Sequence, residues 1–494
     1  MSLIVSLERA LPETVPVGSA TAVFCIGVCY HPDTRIERLE IVVDGTRHRP
    51  AAFGMPRPDI AIADGVTGAG RVYHSGFWGT VPISAHPAPG SVAVELAARL
   101  ATGAVLTCPL GQIDVVAGAP AAAVQAQPAR PGRGLIAVCM ATFEPDMALF
   151  EAQLQSLRAQ TDDRWICLIS DDGSSPARVA QIMRAVGDDP RFAISCSRTR
   201  LGFYRNFERA LQMVPPEAQL VALCDQDDRW HPDKLRVLRR SLRGAVLVYS
   251  DLRLVDAEGT VLRETLWRGR ANNHDNLASM LVANTITGAA MLFRRELMET
   301  ALPFPDTPGL QFHDHWLALA ALATGTLAYV DRPLYDYVQH PGAVFGDVTH
   351  GSRSPRVGGL RRRLASLRIR GPGGTWKAAY FYGYMSRALQ VQVLLARSDT
   401  RLSARKRRTL RRFAACDRSW GALAWLAARP LRCLLGRTET LGSELELVRG
   451  IVWKRLATSL ADHGRRGVGP FADAGMPSPQ RFSQRRLRRW RARL

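Results

Sequence analysis

The chain has no apolar run of about 18 residues, so no transmembrane helix is expected. Its opening residues, MSLIVSLERALPET, lack a basic n-region and a long apolar h-region, so secretion is not expected either. Nine cysteines are an odd number, and they are scattered. Most lie in apolar runs, where reduced and packed thiols sit, which points to the cytosol rather than to a disulfide framework. Cys25 and Cys29, four apart in an apolar strand, face the same side. Lysine is nearly missing: 4 of the 65 basic residues, which marks a preference for arginine and leaves the net charge unexplained. A glycine-rich dinucleotide fingerprint and a phosphate-loop sequence are both lacking, so neither a nicotinamide enzyme nor a phosphate-loop NTPase is supported. Acid is scarce in residues 351–494, which hold 33 basic and 7 acidic residues (33 − 7 = +26). The whole chain carries +21, so the remainder is mildly acidic (21 − 26 = −5).

With 494 residues, 47% hydrophobic and 22% charged, the composition is that of a globular protein of roughly three domains. Residues 1–117 read as an all-β module of short strands broken by Pro, Gly and Asp, expected to form a sandwich. VVDGTRH is its clearest hairpin. Tyr73, Phe77 and Trp78 could stack on sugars, but core packing is the better reading. Residues 118–133, Ala/Pro/Gly-rich, read as a linker. Residues 134–350 alternate strand and helix, which means a parallel sheet in an open α/β fold. Ser175 is placed to cap one of its helices, with Pro176 in the first turn. Residues 351–494 read as helical and basic. RKRRTLRRF and RRLRRWRARL interleave Arg with Leu, Phe and Trp, which suits an anionic membrane surface. No nucleic-acid recognition motif accompanies the charge. A solvated tail is the competing reading.

In an open α/β sheet the site lies at the C-terminal ends of the strands. The first strand ends in Thr142, Phe143 and Glu144, the second in Asp171 and Asp172, the fourth in LCDQDDRW. Asp225, Asp227 and Asp228 in that segment repel one another. They are tolerated where a divalent cation offsets the repulsion, and hard oxygen ligands suit Mg2+ or Mn2+. An acidic turn capping the helix after Pro232 is the alternative. Without a glycine-rich loop a diphosphate needs a metal, which Asp225 and Asp227 can supply.

The ordered series VCMATFEPD, LISDDGSS, RTRLGFYRNFERAL, LCDQDDRWHPDKL, TGAAMLFRR, FHDHWLA and YVQHPGAVFG resembles glycosyltransferase family 2 enzymes of the GT-A fold, and most of all the bacterial rhamnosyltransferase-like members. The resemblance spans about residues 134–348. It implies that Thr142 and Phe143 line the nucleotide base, with Asp171 or Asp172 accepting from a pyrimidine N–H. It implies that Asp225 lies near ribose and metal, that Asp227 ligates the metal, and that Gly202 and Asn206 belong to the segment closing over the nucleotide. Glu144 departs from the family, which often has Asn there. Asp314 in FHDHW resembles the general base of inverting members. Helix capping is its competing role, and the spacing of His313 and His315 disfavours zinc. His340 is a candidate third metal ligand or diphosphate contact, with a structural role as the alternative. Trp267, Asn272, Asn273, His274 and Trp316 could frame the sugar or acceptor pocket.

The expected protein is therefore a metal-dependent, inverting glycosyltransferase. It would move a sugar from a dTDP- or UDP-sugar to a glycan or lipid-linked acceptor for cell-surface polysaccharide, in the cytoplasm or peripherally on the cytoplasmic face of the membrane. The rivals are a non-catalytic carbohydrate-binding protein on a degenerate scaffold, and a nucleotidyltransferase. The intact Asp225, Asp227 and Asp314 weigh against the first. The missing phosphate-binding signature weighs against the second.

Overall fold

The computed structural model describes residues 2–63, 71–118, 125–130, 132, 134–267, 271–309, 311–340, 374–440, 442–463 and 471–477. The basic segment RRLRRWRARL, the residues after His340 in YVQHPGAVFG and half of the expected linker lie outside them.

Nine strands build the N-terminal module as two stacked sheets. One holds β1 (Ile4–Leu7), β3 (Thr21–Tyr30), β6 (Ala52–Met55) and β7 (Gly76–Ile83), in the order β1-β3-β7-β6. The other holds β2 (Thr14–Pro16), β4 (Ile36–Val43), β5 (Thr46–His48), β8 (Gly90–Leu100) and β9 (Val105–Val116), in the order β2-β9-β8-β4-β5. Asp44 and Gly45, with φ of 45° and 76°, make the β4–β5 turn. Val23, Cys25, Phe77 and Val81 of the first sheet meet Leu39, Ile41, Val94 and Leu96 of the second. This is a β-sandwich.

β3 is apolar on both faces for a reason. Its alternate residues Ala22, Phe24 and Ile26 face away from the sandwich core and join the main hydrophobic core of the chain. Trp78 on β7 does the same. Its ring lies 5.1 Å from Phe381 and 6.2 Å from Trp453, and its Nε1 donates to the Tyr380 hydroxyl at 3.3 Å. Phe77 and Trp78 are thus core residues, as their apolar setting suggests. Because Tyr380, Phe381 and Trp453 belong to the C-terminal region, its described helices are structural parts of the molecule rather than a solvated basic tail.

The α/β domain is one mixed sheet. It comprises β10 (Ile136–Thr142), β11 (Trp165–Asp171), β12 (Phe192–Cys196), β13 (Leu220–Cys224), β14 (Arg229–Trp230), β15 (Leu247–Asp256), β16 (Val261–Arg263), β17 (Met291–Arg294) and β18 (Leu327–Gln339). The order is β12-β11-β10-β13-β17-β15-β18-β14, with β16 on β15. The first four strands in this order run parallel, as the alternation with helices requires. β17 runs antiparallel to both β13 and β15. Its short apolar run carries no signal of direction, so the expectation of a wholly parallel sheet is corrected here.

In chain order the helices are α1 (Pro58–Ala63), α2 (Met147–Arg158), α3 (Pro176–Val186), α4 (Phe203–Gln212), α5 (Lys234–Leu242), α6 (Leu277–Val282), α7 (Leu297–Ala301) and α8 (His313–Thr324). Asp146 caps α2 by accepting from Ala148 and Leu149 N–H. Ser175 caps α3 ahead of Pro176. β10, β11 and β13 read as unbroken apolar runs because both of their faces are buried. All nine cysteines are free. Among the described residues no helix is long and apolar enough to cross a membrane.

Candidate active site

Parallel register sets Thr142, at the end of β10, beside Asp171, at the end of β11. Polar side chains in this position are enclosed by the sheet and must find partners. Thr142 Oγ1 donates to Asp171 Oδ1 at 3.1 Å, and Ser174 donates to the same carboxylate through its hydroxyl (2.6 Å) and its N–H (2.9 Å). Asp172 accepts from the N–H groups of Leu201 (2.6 Å) and Gly202 (2.9 Å), where α4 begins. Gly202 is the residue before that helix and has φ of 81°. Asn206 Nδ2 donates to the Thr142 and Ser170 carbonyls at 3.2 and 2.9 Å, and Ser170 Oγ donates to its Oδ1 at 2.6 Å.

Thr142, Asp171, Asp172 and Asn206 are all buried. They fasten the strand ends to one another and to α4. Their polar atoms take these partners within the fold, and the hydrogen bonds hold the walls of the crevice. Glu144, exposed and with φ of 40°, accepts from Ser175 N–H at 2.6 Å and so adds to the start of α3.

Phe143, at the same edge, is half-buried. The Arg200 guanidinium lies 3.8 Å over its ring. Gln226 clamps its backbone, accepting from Phe143 N–H at 2.8 Å and donating to its carbonyl at 3.3 Å. The glutamine inside LCDQDDRW thus joins the end of β13 to the end of β10. Sequence reasoning missed both Arg200 and Gln226. Only Gln226 left a signal, as a long polar side chain set between the site's carboxylates.

The acidic group lies at the end of β13. Asp225 is pushed up to about 7, by burial first and then by the charges of Asp227 and Asp314. Asp228 is buried and likewise raised, by burial and then by Asp225 and Asp227. Asp227 is more open, and its Oδ2 lies 2.9 Å from His340 Nε2 at the end of β18. That contact raises the imidazole above its ordinary value. Asp314 stands in the first turn of α8, and its Oδ1 accepts from His315 N–H at 2.5 Å. Burial pushes its carboxyl up to about 7, against the pull of the helix N–H groups and of Asn284. The structure thus brings together Asp225, Asp227, Asp314 and His340, which stand far apart in sequence.

One cation faces this group from inside the protein. Lys234 is fully buried; its Nζ donates to the Ala289 carbonyl at 2.5 Å and lies 3.5 Å over the Trp230 ring and 4.3 Å over Tyr335. Burial brings it down to about 7, while the charges of Cys224, Asp228 and Asp225 act in the opposite sense. Sequence reasoning overlooked it. The signal available was that one of four lysines follows the acidic segment by six residues.

His313 and His315 diverge. His313 stacks on Phe207 at 3.8 Å, and His315 Nε2 is 2.7 Å from the Met280 carbonyl. Trp316 is buried, with Nε1 donating to Ala301 O at 2.8 Å, and Asn273 is buried with Nδ2 donating to Ala283 O at 2.8 Å. Both are packing residues, not walls of an acceptor pocket. Asn272 is placed differently, accepting from the Tyr249 hydroxyl and, at 3.2 Å, from Thr285 Oγ1. Among the described residues no three His, Cys, Asp or Glu side chains close into a metal cage.

Residues 138–302 match the family model for Glycosyl transferase family 2. The α/β domain is a family 2 glycosyltransferase domain. Its mixed sheet is the GT-A-like core of the chain. An uncharacterized protein, y4gI of Sinorhizobium fredii (strain NBRC 101917 / NGR234), is 26% identical over 121 residues, 24% of this chain. The chain spans only 13% of the length of that relative. Among solved structures, S. aureus TarS 1-349 in complex with UDP-GlcNAc is 12% identical, covering 68% of this chain and 93% of that one, with a TM-score of 0.37. The mannosyltransferase PcManGT from Pyrobaculum calidifontis, in complex with GDP-Man and Mn2+, is 19% identical, covering 67% and 90%, with a TM-score of 0.35.

Proposed function

We propose that this chain is a metal-dependent, inverting glycosyltransferase. It moves a sugar from a dTDP- or UDP-sugar to a glycan or lipid-linked acceptor in the synthesis of cell-surface polysaccharide, at the cytoplasmic face of the membrane. The observation that carries the reading is the convergence of Asp225, Asp227 and Asp314 at the C-terminal edge of a family 2 domain, two of them pushed up to about 7 by burial.

A divalent cation fits these residues. Asp225 and Asp227 are hard oxygen donors, and Asp225 is raised by burial and then by the charges of Asp227 and Asp314, which a cation would offset. His340 beside Asp227 is the third candidate ligand. The pair of carboxylates without a closed cage suits Mg2+ or Mn2+, ions that commonly bind one or two carboxylates together with substrate phosphates. When bound, the ion would neutralise charge on the departing diphosphate.

The protein's own groups do the rest. Asp314 takes the proton from the acceptor hydroxyl as that oxygen attacks the anomeric carbon opposite the leaving group. A carboxylate with its proton affinity raised toward neutrality is suited to that task. Phe143, backed by Arg200 and clamped by Gln226, offers its face to the nucleotide base. Asp171, Asp172 and Asn206 keep the crevice walls in register.

Calorimetric titration with TDP, UDP, GDP and ADP, with and without Mn2+, tests the donor reading. Binding of a pyrimidine diphosphate that needs metal and vanishes in Asp227→Ala is expected. No binding to any of the four, with or without metal, would sink it.

A further inference from the structure

Residues 401–437 hold eleven basic residues and one acid (11 − 1 = +10), and that acid, Asp417, is buried. Arg405, Arg408, Arg411, Arg412, Arg418 and Arg437 are exposed. Large apolar side chains stand among them: Trp420 is 73% exposed, Leu431 64%, Leu434 76% and Leu435 81%. The three leucines share the 3-10 helix Arg429–Leu435, whose three-residue repeat sets Leu431 and Leu434 on one side. This helix and the helix Ala404–Ala414 are tied to one another through Trp425, whose ring has Arg412 at 5.0 Å and Arg429 at 5.4 Å. Arg455 covers the Trp420 ring at 4.0 Å. An apolar tip ringed by guanidinium groups marks an interaction surface.

Charge decides what covers it. The chain's own residues 481–494 contain seven arginines and no acid, so they are repelled by this face. A second copy presenting this same face would bring the same sign. An anionic bilayer satisfies both halves of the surface. Leucine and tryptophan enter the interfacial region, and arginines meet the lipid phosphates.

The face is also fixed relative to the site. Arg429 and Arg432 donate to Ser279 Oγ of α6 at 2.5 and 2.9 Å. Thr438, just beyond the tip, accepts from Ala271 N–H at 3.0 Å, next to Asn272. α6 in turn holds α8 through the contact of Met280 with His315, the neighbour of Asp314. We infer that the surface of the 3-10 helix Arg429–Leu435, carrying the exposed Leu431, Leu434 and Leu435, docks the protein onto an anionic lipid bilayer, with α6 linking that surface to the helix that carries Asp314. The docking deepens the proposed transfer to a lipid-linked acceptor but is measured without it. Failure of nucleotide binding would leave vesicle binding untouched, and the reverse holds.

The test uses the full chain with sedimenting vesicles of phosphatidylcholine, with or without about one-third phosphatidylglycerol. The protein should pellet with the anionic vesicles, and the double variant Leu434→Glu/Leu435→Glu should lower that partitioning about tenfold or more. Both leucines are solvent-exposed, so far-UV circular dichroism and pyrimidine diphosphate binding should be those of the parent. In a Cys108→Ser/Cys196→Ser background, an environment-sensitive dye on the exposed Cys433 should shift to the blue on vesicle binding. The proposal is overturned if the double glutamate variant pellets as the parent does. A dye that stays unshifted while the protein pellets overturns it too, since charge alone would then hold any polyanion, RNA included.

Discussion

His340 Nε2 and Asp227 Oδ2 lie 2.9 Å apart, although 113 residues separate them in the chain. The contact ties the end of β18 to the end of β13. It also places an imidazole against a half-buried carboxylate of the acidic group.

Asp314→Asn should cut turnover by about 10²–10⁴-fold, with little change in the dissociation constant for pyrimidine diphosphate. The pH profile follows from the raised carboxyl. Below about 7 Asp314 holds a proton and cannot take another, so the rate should rise as pH climbs through about 7 and then level off. A rate independent of pH between 5 and 8, with transfer as the slow step, would remove Asp314 from the role of base.

Lys234→Met removes the internal cation and leaves Asp225, Asp227 and Asp228 facing one another. Loss of the ammonium group also strands the buried Ala289 carbonyl, and the expected cost is about 1–3 kcal/mol. Urea unfolding should show that loss, and the double variant Lys234→Met/Asp228→Asn should recover part of it. Additive losses in the double variant would mean that Lys234 does not act through these carboxylates.

Asn206→Ala removes a buried donor from the Ser170 and Thr142 carbonyls, the latter keeping Asp172 N–H, and an acceptor from Ser170 Oγ. The expected cost is about 1–3 kcal/mol of stability, read by urea unfolding, with pyrimidine diphosphate affinity nearly unchanged at temperatures where the variant is folded. A large loss of affinity with normal stability would return Asn206 to the nucleotide itself.

Arg200→Ala should weaken nucleotide binding modestly. A cation over an aromatic ring at an exposed site is worth about 0.5–1 kcal/mol, so calorimetry should read a change of a few-fold. Phe143→Ala should weaken binding more, because it removes the face on which a base would stack.

Trp78→Ala tests the joint between the sandwich and the C-terminal helices. Truncating a fully buried tryptophan costs about 3–5 kcal/mol. Calorimetric melting should show the transition of the whole chain moving down. If only a small separate transition shifts, the sandwich folds on its own.

Much of the architecture was legible in the sequence because it rests on local pattern. The alternation of apolar strand and amphipathic helix over residues 134–350 reports burial, and Ser175-Pro176 and Asp44-Gly45 report a helix start and a turn through backbone chemistry. The clustered carboxylates of LCDQDDRW mark a candidate site because like charges at a strand end repel one another. Direction is another matter: β17 runs antiparallel, and its short apolar run is the same read either way.

By itself, then, the sequence determined the fold class, the family 2 domain and the identity of the acids, since periodicity and residue type express themselves within a few positions along the chain. The tertiary structure alone decided which polar side chains face the crevice and which face the fold. Thr142, Asp171, Asp172 and Asn206 stand at strand ends and a helix start, yet each finds partners within the fold, because most buried polar groups pair. It alone set Lys234 beneath the carboxylates and Arg200 over Phe143, since those distances depend on how far-separated segments pack. It also turned the basic C-terminal region, which composition describes only as charge, into helices whose buried aromatics share a core with the sandwich and whose exposed leucines stand among arginines.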